Sequence, residues 1–370
     1  MNKNNKKTVF VGMSGGVDSS VAALILKRRG FEVVGIFMKN WSKNIEGVLN
    51  CSAQEDERFA RDVAFQIGIP IYSWDFEKEY EKRVFDYFLK SYQNGLTPNP
   101  DVMCNREIKF GLFLEKALKM GADYIATGHY VRLIRKINKN GNKINHLLMA
   151  KDKNKDQSYF LWTLNQEKLN NCLFPIGNYL KKEVREIARQ NNLITFDKKD
   201  SQGLCFIGKM DFRKFLAYYL PPKKGEIVLV SKNYQDGRVI GYHNGIQFYT
   251  IGQREGLNIG GGVPYYVVNK DGLTNTLYVA TKENLNNFFN KKIMIENLNL
   301  IEPSLIFPLK CQGRFRYRQK LYKTNLELLP NNYAKVIFKD VPTSIAPGQS
   351  LVFYQGQKML GGGIISSRVL

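Results

Sequence analysis

Nine residues, Thr97 to Asn105 (TPNPDVMCN), bring two prolines, a carboxylate and a thiol together. Proline lacks a backbone N–H and biases its predecessor away from helix, so the stretch reads as a stiff loop ending near Asp101. From Asn105 onward the apolar spacing turns helical, through Ile108, Phe110, Leu112, Phe113, Leu114, Ala117 and Leu118. Asp101 and Cys104 then fall at a loop-to-helix junction, where a thiol can be held as thiolate. The simpler alternative is a small buried hydrophobe at 104 and a helix-capping aspartate at 101. A second isolated thiol, Cys205, lies between Leu204 and Phe206 in KDSQGLCFIG, Lys199 to Gly208. A third pattern, SGGVDS at Ser14 to Ser19, follows a short apolar run. Its glycines let backbone N–H groups approach an anion, and the next helix offers its positive end. Ser14, Ser19 and Ser20 add hydroxyls, and Asp18 suits a magnesium ion on a phosphate. No GK[ST] follows and there is no GxGxxG, so this is neither a Walker A loop nor a dinucleotide fingerprint. A strand–turn–helix with one capping serine is the plain reading; the full pattern at this location points to phosphate.

The surrounding elements place these groups. Thr8–Gly12 reads as a strand, Val17–Arg29 as a helix closed by Gly30, and Phe31–Met38 as a second strand. Glu55–Ile67 reads as a helix, and Ile69–Trp74 and Asp123–Thr127 as further strands. This rhythm predicts a doubly wound, mostly parallel α/β sheet, with ligands at the carboxyl ends of its strands. SGGVDS, the end of the second strand and Gly128 all fall there. After about residue 205 the character changes. A glycine-rich run, Ile251 to Pro264, leads into short strand-like pieces at Tyr265–Val268 and Leu277–Ala280. Ala334–Phe338, Ser350–Tyr354 and Gly363–Ser366, separated by turns, predict a small C-terminal β-barrel or sandwich. The expected domains are 1–205, a small central domain at 206–285, and a β-barrel at 286–370. Lys136 to Asn145, polar and basic, reads as a loop or hairpin turn.

Composition narrows the partners. The 370 residues exceed one compact core and carry 55 Lys+Arg against 33 Asp+Glu, a formal charge of +22. That excess favours a polyanion. The five cysteines, at 51, 104, 172, 205 and 311, form no CxxC pair and no disulfide framework. The apolar run Val9–Val11 is too short for a signal peptide, and no run spans a membrane, so the expectation is a cytoplasmic protein away from membranes.

SGGVDS resembles the loop of PP-loop ATP pyrophosphatases. Taken in order, GMSGGVDSS (12–20), TPNPDVMCNREIKF (97–110), ATGHY (126–130), KDQSYFL (155–161), KDSQGLCFIG (199–208), YTIGQREGL (249–257), RFRYRQ and PGQ resemble the bacterial tRNA-specific 2-thiouridylase (MnmA) family along nearly the whole chain. The resemblance implies an ATP-dependent sulfurtransferase making 2-thiouridine at the tRNA wobble position. It implies ATP contacts by Gly12, Met13, Ser14, Gly15, Gly16, Val17, Asp18, Ser19, Met38 and Gly128, with magnesium on the pyrophosphate. Cys205 would carry a persulfide, Cys104 would be the partner nucleophile leaving a transient Cys104–Cys205 disulfide, and Asp101 would orient the base or move a proton. Asn99, Pro100 and Asp101 would bind tRNA. His129, Lys155, Asp156, Gln157, Arg316, Tyr317 and Gln349 would meet tRNA of the Lys, Glu and Gln types. A persulfide donor, a cysteine desulfurase or relay protein, is the implied second partner.

Independently of the resemblance, Lys310, Arg314, Arg316, Arg318, Lys320 and Lys323 form an acid-free run with interleaved aromatics. Strand alternation would put Arg314, Arg316 and Arg318 on one phosphate-facing side; a solvated, charge-protected edge is the alternative. Three other functions stay open: another PP-loop tRNA-modifying or amidating ligase, which needs no thiol pair; a non-catalytic RNA-binding protein; and an iron–sulfur cluster held by Asp101, Cys104 and Cys205.

Overall fold

The computed structural model describes residues 6–137, 141–199, 211–260, 262–342 and 344–367. Strands β1 (Thr8–Gly12), β2 (Glu32–Lys39), β3 (Ile71–Asp75) and β4 (Tyr124–Ala126) form a parallel sheet in the order β3-β2-β1-β4, with Cys172–Leu173 beyond β4. Period-two alternation divides its faces. Val9, Val11, Val33 and Phe37 pack with helices α1 (Val17–Arg28) and α2 (Ala53–Ile67) and with Val184 of the helix Lys181–Gln190. Phe10, Ile36, Met38 and Ile125 pack on the opposite face with Val102, Cys104 and Phe113.

The segment before Cys104 departs from expectation. The helix begins at Pro100, ahead of Asp101. Proline at the first helical position forfeits an N–H that has no partner there anyway. Asn99, and not Asp101, is the cap: its side chain accepts from Val102 N at 3.3 Å. Asp101 and Cys104 thus lie inside a helical turn. From Asn105 to Leu112 the helix widens to π-type winding. Gly111 permits this, because a Cβ there would stand 2.9 Å from the Arg106 carbonyl oxygen.

A helix, Phe212–Tyr219, leads to a four-stranded sheet in which Thr276–Thr281 lies between Tyr265–Asp271 and Gly225–Leu229, with Arg238–His243 at the edge. The C-terminal barrel has six antiparallel strands: Lys292–Leu300, Tyr333–Phe338, Tyr322–Leu329, Leu309–Arg314, Ser350–Gln355 and Lys358–Ile365 in spatial order. The first and last pair to close it. Within the stretch expected as a loop or hairpin turn, Lys136–Ile137 and Lys143–Asn145 belong to a hairpin of β5 (Val131–Ile137) and β6 (Lys143–Met149), and residues 138–140 lie outside the described residues. Leu147 and Leu148 of β6 pair with Met359 and Lys358, so this hairpin joins the barrel sheet.

Candidate active site

The phosphate loop leaves β1 with Met13 N donating to the Ile36 carbonyl at 2.8 Å. Gly15 has φ +70°, and a Cβ on it would stand 2.2 Å from the Asp56 carbonyl oxygen. No side chain caps the N-terminus of α1, whose cap residue is Gly16. Ser14 N donates to Ser19 Oγ at 3.1 Å, and the Ser19 and Ser20 hydroxyls donate to the Gly16 carbonyl. The arrangement suits an anion, forming a cradle from an uncapped helix end and two glycines with the Ser14 hydroxyl beside them. Gly128 closes its far side, since a Cβ there would be 2.7 Å from Ser19 N. The Met38 side chain lies over Gly12, whose added Cβ would be 3.0 Å from Met38 Cε.

Asp18 is engaged by Lys181, which no quoted motif contains, and by Tyr130, the last residue of ATGHY. Both its oxygens accept from Lys181 Nζ, at 2.7 and 2.8 Å, and Oδ1 accepts from Tyr130 Oη at 2.8 Å. Gln157 holds Tyr130 in turn, accepting from its N–H and donating to its carbonyl. Lys198 Nζ donates to Asp56 Oδ1 at 2.7 Å and sits 3.9 Å from the Phe59 ring centre. The chain entering the Cys205 segment is therefore anchored beside Gly15; Cys205 itself lies outside the described residues.

Cys104 is buried and Asp101 half-buried. Gln349 of the barrel donates to the carbonyls of Thr97 and Pro98, at 3.0 and 3.3 Å, so the barrel holds the loop that presents them. Burial pushes the Cys172 thiol up to about 12 and the Cys311 thiol up to about 11. Both stay protonated at neutral pH.

The residues expected to meet tRNA divide by exposure. The basic run does not alternate along one strand: the strand ends at Arg314, and the chain turns through Arg316 to Lys320, with Arg318 at φ +61°. Arg314 points inward and forms a buried ion pair with Asp156, shared with Tyr354 Oη and Ser158 Oγ. Asp156 also accepts from the backbone N–H groups of Ala150 and Ser158. Arg316 is exposed, yet its guanidinium donates to the Ile251 and Ser344 carbonyls at 3.0 Å each. Tyr317 packs on Phe160 with ring centres 4.7 Å apart. His129 is buried against Phe110 and Phe174, with Nδ1 2.8 Å from Thr127 Oγ1. Burial, reinforced by Lys109, holds its imidazole well below the usual range. Lys155 is half-buried at the surface.

Among the described residues no three His, Cys, Asp or Glu side chains gather to hold a metal ion. With both Asp18 oxygens on an ammonium group, the loop does not fit a protein-held magnesium ion. No described helix is long and apolar enough to cross a membrane.

Three families match in succession: the tRNA methyl transferase HUP domain over residues 7–209, the tRNA methyl transferase PRC-barrel domain over 213–281, and the aminomethyltransferase beta-barrel domain over 290–365. A tRNA-specific 2-thiouridylase MnmA of Streptococcus equi subsp. zooepidemicus is 49% identical, over 99% of this chain and 96% of that protein. Its namesake in Streptococcus mutans is 47% identical, over 99% and 97%. A solved 4-thiouridine synthetase–RNA complex with bound ATP aligns over 58% of this chain and 50% of its own, at 16% identity and a TM-score of 0.35, too slight to carry an argument. With nearly half its residues shared over its full length, the chain belongs to the tRNA-specific 2-thiouridylase (MnmA) family.

Proposed function

We propose that this enzyme uses ATP to adenylate the C2 oxygen of the tRNA wobble uridine and then replaces that oxygen with persulfide sulfur, yielding 2-thiouridine, AMP and pyrophosphate. The observation that carries the reading is that one sheet bears both groups. The uncapped α1 N-terminus lies at the carboxyl end of β1, and the Cys104 helix packs on the Met38 face of the same sheet. A triphosphate in the cradle meets backbone N–H groups and the α1 dipole, which favour the departing negative charge. Magnesium entering with the triphosphate would neutralise that charge.

Attack of the uracil O2 on the α-phosphorus breaks the bond to pyrophosphate. O-adenylation creates a C2–N3 double bond, so the N3 proton must leave, and Asp101 takes it. The terminal sulfur of a Cys205 persulfide attacks C2 and AMP departs with the former O2. The Cys104 thiolate then attacks Cys205 Sγ, breaking the S–S bond to the base. N3 regains its proton as the thiocarbonyl forms, and a Cys104–Cys205 disulfide holds the two-electron oxidation until a thiol reductant reopens it. Release of hydrosulfide by Cys104 before attack on C2 gives the same balance. Asn99 and Pro100 flank the base, and Lys155, Arg316 and Tyr317 contact the surrounding RNA. Asp156, Gln157, His129 and Gln349 act from behind, by holding the segments that do so. Lys-, Glu- and Gln-type tRNAs are the proposed substrates, and a cysteine desulfurase or relay protein the donor.

Replacing each cysteine tests the reading. Cys205→Ser should adenylate tRNA but accept no labelled sulfur. Cys104→Ser should accept sulfur yet make no thiolated tRNA, because a hydroxyl supplies no thiolate at neutral pH. Full activity in either variant would remove that residue from the mechanism, and label on Cys104 would reverse the roles.

A further inference from the structure

Asn40 follows directly on the end of β2, where an open α/β sheet receives its ligand. The residue is 1% exposed, and neither Oδ1 nor Nδ2 of its side chain has a hydrogen-bond partner. Among the described residues it is the one buried amide with both polar atoms unpaired. Every unmade bond of this kind carries a desolvation penalty that a leucine of similar volume would avoid. An amide kept here is therefore poised for a partner that the chain itself does not supply.

Position and chemistry indicate which partner. Val34, Ile36 and Met38 alternate onto the sheet face that carries Cys104, and Asn40 is the next position in that series. Met38 reaches across to Gly12 at the mouth of the phosphate cradle. A carboxamide offers one donor and one acceptor side by side. Adenine presents the complementary pair, its 6-amino group next to a ring nitrogen. We propose that Asn40 reads the adenine of ATP, accepting from the 6-amino group at Oδ1 and donating from Nδ2 to the adjacent ring nitrogen. This rests on the ATP reading above and adds to it a determinant of nucleotide choice. Uracil could also satisfy an amide, but Asn40 stands two residues beyond Met38, which covers the cradle.

Equilibrium binding by the full chain, without tRNA, compares magnesium-ATP with purine riboside 5′-triphosphate, which lacks only the 6-amino group. Wild type should prefer ATP about tenfold, the worth of one hydrogen bond. Asn40→Leu should bind the two alike, with a Tm no lower than wild type because two unpaired polar atoms are gone. A merely structural asparagine would lower the Tm and leave the preference intact. If Asn40→Leu does not fold, Asn40→Ser gives the same comparison. A preserved tenfold preference in the variant overturns the proposal. If that is joined by weakened tRNA binding, the amide belongs to the uracil instead. Equal binding of the two nucleotides by wild type also overturns it. If wild type binds neither, the ATP reading itself falls, and the assignment of Asn40 with it.

Discussion

Gly128→Ala tests whether the distance between β4 and the start of α1 governs the chemistry. An added Cβ would stand 2.7 Å from Ser19 N and 2.8 Å from Asp18 C, where ordinary contacts begin at 3.4 Å. Both neighbours are backbone atoms, so no side-chain rotation relieves the clash. The first turn of α1 must retreat by about 0.7 Å, carrying the anion-facing N–H groups with it. Misplacement by about 1 Å costs on the order of a hundredfold in rate, so tRNA-dependent pyrophosphate release should fall roughly thirtyfold to a hundredfold. Overpacking should lower stability by about 1–3 kcal/mol, visible as a lower Tm but not as unfolding at assay temperature. Gly260→Ala, where an added Cβ meets nothing within 4 Å, is the control and should match wild type in both measurements. A Gly128→Ala enzyme that folds and releases pyrophosphate at the wild-type rate would refute the claim that loop position is rate-determining.

Asp18→Ala should abolish adenylation while leaving tRNA affinity nearly intact; pyrophosphate release at the wild-type rate would contradict this. Arg316→Ala should weaken tRNA binding and flatten its salt dependence by about one unit of log–log slope, measured by titration at several salt concentrations. Arg314→Met strands a buried carboxylate at Asp156 and should cost about 3–5 kcal/mol in denaturant unfolding, far more than a surface arginine would. His129 is neutral in the folded state, and its depressed folded pKa makes the unfolded chain the better proton acceptor. The stability it allows is present above about pH 6.5 and declines as pH falls, by up to about 1.4 kcal/mol per pH unit. His129→Phe should flatten that acid limb.

The parts of the site that follow from local rules were readable beforehand. Strand β1 and the start of α1 fall where alternation and SGGVDS put them. The error at Pro100 arose from two local signals in conflict. Proline marks a loop when it breaks a ladder and a helix start when it takes the first position, and only the Asn99 cap decides between them. Arg314, Arg316 and Arg318 look equivalent in a run, but strand Leu309–Arg314 ends at the first of them. The hairpin β5–β6 was obscured by lysine, asparagine and histidine on its alternating positions. Lys181 and Tyr130 could not be found at all from periodicity. Their partner Asp18 is more than a hundred residues away, and only the folded sheet brings them to it.

The junction of β6 with the barrel imposes a wait during synthesis. Leu147 leaves the ribosome about 210 residues before its partner Met359. At roughly 5–20 residues per second, that leaves a strand edge open for about ten to forty seconds. Such an edge invites pairing with the wrong chain. Here it carries its own deterrents: Lys143 at one end, His146 within it, and Arg132 and Arg135 on the adjoining strand. The polar residues that hid this hairpin from a reading by hydrophobic pattern are thus among those suited to keep it solvated until the barrel arrives. A chain cut short before residue 358 would never cover that edge, so the first two-thirds of this protein made alone should be prone to aggregate.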